Sequence, residues 1–386
     1  ELGVRALDDR TVEYRFDAPA PYFPVVAASW GTIPLREDLI AAGGPEWWVN
    51  SATRIGNGPF ELVAYETEEP DQRLLYARND HYWDGPAKLD PFADYFDPAT
   101  MEAYVNGQYD MNWPPEEFLA TAESDPVLSQ ELVTLPIAGT YYFSFNITRE
   151  PFQDQKVREA FAYAFDREAY CRELLAGGCV PNLSWVSPGV PGYIESDAFA
   201  FDPAQAREAL AASSYGGSED LPPIDWYVIE GEPSMVKDAE WLAARFRNAL
   251  GVELNLVTVS EEEYDALFES ESTYPQLIDS VWFADPDPRD WFVVWRCDSE
   301  WNRGYCNPRL DSLVNRADAE MDPAKRLALY EAAGRVLLAD APAIFVHSAK
   351  MTALVKPSVV GYSRTTPNGF WPGFTNLLTV DVVPAE

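Results

Sequence analysis

The residues with the clearest chemical potential lie in one stretch, P-Q-L-I-D-S-V-W-F-A-D-P-D-P-R, residues 275–289. Trp282 and Phe283 are followed at once by Asp285 and Asp287. A carboxylate seated against indole and phenyl rings is costly to ionise unless a cation or several hydrogen-bond donors face it. An ammonium group arriving on a ligand would supply that partner, which makes Asp285 a candidate anchor with Trp282, Phe283 and Asp287 around it. A purely local alternative stands beside this: Asp-Pro-Asp-Pro is also an ordinary turn, with aspartates closing Asx-turns and prolines fixing φ.

Other chemistries have less support. The histidines, His81 in a polar turn and His347 at a strand end, read as structural. G-x-S-x-G, H-E-x-x-H, Walker and G-x-G-x-x-G patterns are absent, so no catalytic residue and no cofactor is assigned. Asp285, Asp287 and Asp290 invite a calcium loop, but Arg289, Asp290 and Arg296 occupy the positions of an oxygen ligand, the turn glycine and the bidentate Glu. Paired carboxylates for glycoside hydrolysis have no spacing in their favour. The four cysteines fall into two local pairs, Cys171 with Cys179 and Cys297 with Cys306. Each pair closes a short loop, which favours disulfides and an oxidising compartment. Zinc lacks both a C-x-x-C spacing and a nearby histidine, and free buried cysteines are the remaining alternative.

The chain has 63 acidic and 28 basic residues, a formal net charge of −35. That field repels phosphate backbones and anionic lipid, so nucleic acid and membrane-surface roles are disfavoured. No run approaches the ~18–20 apolar residues needed to span a bilayer, and the opening E-L-G-V-R is no signal peptide. At 386 residues with 47% hydrophobic residues, two cores are expected.

The elements that must position residues 282–287 are legible from periodicity. Residues 224–229 read as a strand, 233–250 as a helix opened by Pro233 and stopped by Gly251, 252–256 as a strand, 261–269 as a helix, and 277–283 as a strand buried on both faces. This β-α-β-α-β order favours a parallel sheet, with residues 282–287 at a strand's carboxyl end, where α/β sheets bind ligands. Earlier, residues 4–16 read as a hairpin. Residues 110–115 form a turn that presents Trp113 as a cover on a core or as ligand surface, and the latter is favoured. Residues 132–146 run extended in two halves, broken at Ala138-Gly139, as a chain passing between domains would. A helix capped by Asp154 carries Val157, Phe161 and Phe165 on one face. Residues 179–202 form a long ordered loop. Two further helices, near 308–320 and 323–339, lead to strands 343–347 and 352–356 and a Gly/Pro/aromatic tail. The sequons at Asn146 and Asn182 read as chance matches.

Taken in order, G-V-R-A-L-D-D-R-T-V-E-Y-R-F, N-G-P-F-E-L-V-A-Y-E, L-L-Y-A-R-N-D-H-Y-W-D-G, Y-V-N-G-Q-Y-D-M, Y-Y-F-S-F-N-I-T-R-E-P-F-Q-D-Q-K-V-R-E-A-F-A-Y-A-F-D-R-E, W-F-A-D-P-D-P and G-Y-C-N-P-R-L-D-S-L-V resemble the oligopeptide- and dipeptide-binding proteins of ABC transporters. The likeness runs over essentially the whole chain. It implies a two-lobed, hinged α/β fold of the periplasmic-binding-protein type with mixed sheets, lacking the N-terminal part of the first lobe. The lobes would be residues 1–139, then 140–349, with 350–386 returning to the first. It further implies a bacterial or archaeal extracytoplasmic receptor, secreted or a lipoprotein, that hands a peptide or other small solute to an ABC permease. Membrane contact would come only through a lipid anchor upstream of Glu1, and no catalysis is implied. By resemblance, Asp285 matches the aspartate that holds a ligand's α-ammonium, and Trp282 and Phe283 match contacts of the same strand end. Asn112 and Trp113 match a segment beside the ligand from the other lobe, while Tyr141 and Tyr142 match the first crossing. The second crossing falls near residues 348–351. Asp279 stands where some members carry an arginine for the ligand carboxylate, which favours a cationic ligand or one without a free carboxylate. An oligosaccharide or metal-chelate receptor, and a surface or assembly protein reusing the fold, are the rival readings.

Overall fold

The computed structural model describes residues 3–28, 30–67, 72–96, 101–175, 177–270, 273–285, 287–362 and 377–383. The Gly/Pro/aromatic tail expected near the C-terminus lies mostly outside these residues. The chain divides into two compact units, one comprising Glu1–Ala27 and Ala138–Ala349, the other Ala28–Ile137 and Lys350–Glu386.

The first unit opens with a hairpin, β1 (Val4–Asp8) and β2 (Thr11–Tyr14), which forms a two-stranded sheet of its own. The Asp8 carboxylate closes the turn by accepting from the Arg10 N–H and the Thr11 hydroxyl. α1 (Phe23–Val26) follows. This segment falls with residues 138–349 rather than with the rest of 1–139, and one contact accounts for part of that: the Arg289 guanidinium lies over the Tyr22 ring, 4.4 Å from its centroid. The second unit contains α2 (Glu37–Gly43), an antiparallel sheet of β3 (Phe60–Glu66), β4 (Arg73–Arg78) and β5 (Phe92–Tyr95), then α3 (Met101–Val105), β6 (Met111–Asn112), α4 (Glu116–Ser124) and α5 (Leu128–Glu131). A small core of Tyr104, Ala122, Leu128 and Leu354 lies here. The buried Glu131 carboxylate accepts from the Tyr104 hydroxyl at 2.7 Å and pairs with Lys356 at 3.1 Å.

β7 (Leu132–Phe145) then runs unbroken through Ala138-Gly139, so the expected two halves are one long strand. Glycine weakens a strand, but here the ladder continues through it, with Gly139 opposite Phe283. Beyond it come α6 (Gln155–Ala164), α7 (Arg167–Glu173), β8 (Val180–Pro181), α8 (Pro203–Ala211), β9 (Ile224–Ile229), α9 (Pro233–Leu250), β10 (Leu254–Val259), α10 (Glu261–Ala266), β11 (Leu277–Phe283), α11 (Pro288–Phe292), α12 (Pro308–Ala319), α13 (Pro323–Asp340) and β12 (Ala343–Val355). β13 (Val359–Val360) and β14 (Asp381–Val382) pair with each other in the second unit. The main sheet has the order β11-β7-β12-β6, with β8 also on β12.

Side-chain alternation on the central strands builds two cores from one sheet. On β7, Phe143 and Phe145 enter a core with α6, α8 and α9, while Ala138 and Tyr142 enter another with Trp291, Trp295 and α13. On β12, Ile344 and Val346 join the first and Ala343 and Phe345 the second. The helix starts follow their caps. Asp154 accepts from the Lys156 N–H, and an Asx-Pro pair opens α8 (Asp202-Pro203), α11 (Asp287-Pro288), α12 (Asn307-Pro308) and α13 (Asp322-Pro323). Gly251 stops α9 in the left-handed region, φ 72°.

The expected three-strand parallel sheet is only half present. β9 and β10 pair in parallel, but β11 leaves them and runs antiparallel to β7. The Asp225 N–H of β9 is met by the Gln276 side chain, whose amide also donates to the Glu150 and Pro223 carbonyls. A side chain thus stands where a third parallel strand would begin. Both local cysteine pairs are disulfides, Cys171–Cys179 and Cys297–Cys306.

Candidate ligand-binding site

β11 is buried only at Leu277 and Ile278, and opens toward its carboxyl end, where Val281 is 38% exposed. The strand buried on both faces that hydrophobicity suggested is therefore fully buried only at its start; beyond it Asp279 and Val281 face outward while Trp282 packs on the core of Trp291 and Trp295. Its ladder with β7 pairs Val281 with Tyr141, Trp282 with Thr140 and Phe283 with Gly139, and continues as the Ala284 N–H donates to the Ala138 carbonyl at 2.9 Å. The next residue is Asp285.

A tight loop then joins the strand to α11. The Asp285 N–H donates to Asp290 Oδ2 at 2.9 Å, and the Trp282 indole N–H donates to the Asp290 carbonyl at 3.1 Å. Both bonds hold the loop so that the Asp285 carboxylate ends the strand. Among the described residues no cation and no hydrogen-bond donor pairs with that carboxylate. Partial burial holds its proton affinity above the ordinary carboxylate range, with the neighbouring Asp287 charge adding to the effect. Asp290 is raised likewise, mainly by burial.

Asp287 is different, and the expectation that it faces a ligand is corrected. Its carboxylate caps α11, accepting from the Arg289 N–H at 2.9 Å, and takes a bidentate pair from Arg326 on α13, Nη1 to Oδ2 at 2.9 Å and Nη2 to Oδ1 at 2.6 Å. The two side chains are 10% and 13% exposed. Both oxygens are spoken for, and the local-turn reading describes this residue. The repeated Asx-Pro helix starts carried that signal in the sequence.

Tyr142 is corrected as well. It is 7% exposed and packs edge-on against Trp185 at 5.1 Å, and burial pushes its hydroxyl up to about 12. Strand parity turns it into the core, with Trp282 packed on the same face. Tyr141, its neighbour, points the other way, is 39% exposed, stacks on the buried His347 ring at 4.4 Å and meets Phe283 edge-on at 6.3 Å. Phe283 and Tyr141 thus meet near the strand end that leads into Asp285, with Trp282 packed on the opposite face. Among the described residues no three His, Cys, Asp or Glu side chains converge to hold a metal ion.

Asn112 and Trp113 belong to the second unit. Asn112 pairs with Leu354 across β6 and β12, and its amide donates to Met101 Sδ at 3.3 Å. The Trp113 indole donates to Met351 Sδ at 3.0 Å. Both residues line a cavity of about 530 Å³ with Tyr95, Tyr109, Asp94 and Tyr362. Burial raises the Asp94 carboxyl above its usual range. Sequence reading missed Arg326 and the bond Asp290 accepts from the Asp285 N–H, since nothing in the local pattern announces a partner 39 or 5 residues away.

Residues 1–303 match the family described as bacterial extracellular solute-binding proteins, family 5. The dipeptide-binding protein DppE of Bacillus subtilis is 28% identical over 382 residues, covering 94% of this chain and 68% of that protein. The probable deoxycholate-binding periplasmic protein YgiS of Escherichia coli is 27% identical over 384 residues, covering 96% and 69%. Among solved structures, OppA of Burkholderia pseudomallei is 26% identical and superposes with a TM-score of 0.74, covering 99% of this chain and 76% of that one. The α/β, periplasmic-binding-protein-like fold class is shared with that structure.

Proposed function

Because the chain belongs to the family-5 bacterial extracellular solute-binding proteins, we propose that it is the extracytoplasmic receptor of an ABC importer and binds peptides, with Asp285 receiving the free α-ammonium. The observation that carries this reading is the Asp285 carboxylate, partly buried at the end of β11 and, among the described residues, without a cation or hydrogen-bond donor on it. An ionised carboxylate so placed gains most from a cation that brings its own hydrogen-bond donors. Phe283 and Tyr141 offer apolar wall for side chains, and Asn112 and Trp113 line a cavity of the second unit. The chain passes between its compact units at Ala27/Ala28, Ile137/Ala138 and Ala349/Lys350. Delivery is to a permease.

A bile-acid-like carboxylate, of the kind the name of YgiS suggests for that relative, is disfavoured here. It would meet Asp285 in a chain of net charge −35. Isothermal titration with free-amino tripeptides, their N-acetylated forms and deoxycholate tests the reading. Binding confined to the free-amino set is expected, whereas tight binding of deoxycholate alone overturns the peptide assignment.

A further inference from the structure

The Asp285 loop is surrounded by charges that come from different elements. Asp287 lies two residues beyond Asp285 in the chain, and Asp290 and Arg289 sit on α11. Arg326 reaches in from α13, and Asp318 on α12 lies 3.7 Å from Arg289 and 3.9 Å from Arg296. The Arg289 guanidinium is turned to the Tyr22 ring and Asp318. Asp290 spends one oxygen on the Asp285 N–H. Among the described side chains only Arg326 pairs with Asp287, with both of its terminal nitrogens. Its orientation is fixed in turn, because Nη2 also donates to the Tyr330 hydroxyl at 3.2 Å and that hydroxyl donates to Asp318 at 2.5 Å.

We propose that Arg326 is a positioning residue that pairs with the Asp287 carboxylate and leaves Asp285 as the one carboxylate of the loop that, among the described residues, has neither a hydrogen-bond donor nor a cation on it, so that the site selects a head group with one positive charge. This rests on the reading of Asp285 as the ammonium anchor. Two unpaired carboxylates in one short loop would hold a proton between them or favour a dication, and either outcome weakens a monoamine at mildly acid pH. The fork geometry of arginine matters because both oxygens of Asp287 are engaged, leaving none turned toward the ligand. The pair also anchors the loop to α13, which keeps the Asp285 backbone where β11 delivers it.

The test uses the full chain without ligand, so that its failure is distinguishable from a failure of peptide binding. The Asp285 side-chain carboxyl is titrated by carbon-13 NMR, assigned by its loss in Asp285→Asn. In Arg326→Met the Asp287 charge stands bare, and the Asp285 midpoint is expected to rise by about one unit. In Asp287→Asn the freed guanidinium remains, and the midpoint is expected to fall below that of the native protein. Arg326→Lys, which keeps the charge, is expected to stay close to the native midpoint. Opposite shifts in the first two variants support the assignment, and either shift alone does so if the other variant fails to fold. An unchanged midpoint in a folded Arg326→Met or Asp287→Asn protein overturns it. With a free-amino tripeptide as probe, the acid limb of binding should move with the NMR midpoint. A uniform loss of affinity at every pH would mark a merely structural role.

Discussion

Replacing Asp285 and Asp287 by asparagine, one at a time, separates an anchor from a strut although the two residues are neighbours in the chain. Asp287 and Arg326 form a bidentate pair with side chains only 10% and 13% exposed. Removing one partner leaves the guanidinium buried without a counter-charge, which costs about 3 kcal/mol. Asparagine keeps the helix cap, so this cost belongs to the charge. Among the described residues Asp285 has no partner to lose. Its folded-state proton affinity is raised, so the ionised form is disfavoured in the fold. The destabilisation is absent below the unfolded carboxyl pKa of about 4 and complete above the raised folded value. Solvent screening at this partly exposed position limits it to a few tenths of a kcal/mol. Asp285→Asn should therefore be neutral or slightly stabilising at pH 7, with the difference vanishing in acid. Urea unfolding followed by circular dichroism measures both variants. If Asp285→Asn costs more than about 1 kcal/mol, or Asp287→Asn costs less than that, the division of labour drawn here is wrong.

Two further outcomes follow from buried features elsewhere. Glu131→Leu strands Lys356 and the buried Tyr104 hydroxyl, which burial and Glu131 together hold far above an ordinary tyrosine. It should cost about 3 kcal/mol in urea unfolding, and a cost near zero would show that the pair contributes nothing net. Replacing Cys297 and Cys306 together by serine opens a short loop beside α12, and should lower stability by about 2–3 kcal/mol. An unchanged melting temperature would refute a stabilising role for that bridge.

How much of this was legible depends on the range of the interaction. Caps and stops that act within a few residues were readable: Asp154, Pro233, Gly251 and the Asp322-Pro323 start all appear where local rules place them. The strand that delivers Asp285 was readable too, because an apolar run ending at two prolines has few other forms. What the pattern could not carry was partnership. β11 looked like the third strand of a parallel unit, yet Gln276 satisfies the edge of β9 and β11 pairs with a strand more than a hundred residues earlier. The same limit hid Arg326 behind Asp287. It also blurred Tyr141 and Tyr142, two adjacent tyrosines of equal composition value that strand parity sends to opposite faces. The family resemblance points to Asp285 by position, and the physical argument about a carboxylate among rings points to it by chemistry.

The most direct measurement is a double-mutant cycle across the proposed contact. The affinities of one tripeptide and its N-acetylated form are determined by calorimetry for the native protein and for Asp285→Asn. A charge-assisted contact to the α-ammonium predicts a coupling of about 2–3 kcal/mol, so that the mutation weakens the free-amino peptide by roughly 30- to 150-fold and the acetylated one little. Equal losses for both peptides, a coupling of zero, would contradict the assignment of Asp285 as the residue that receives the ligand's amino end.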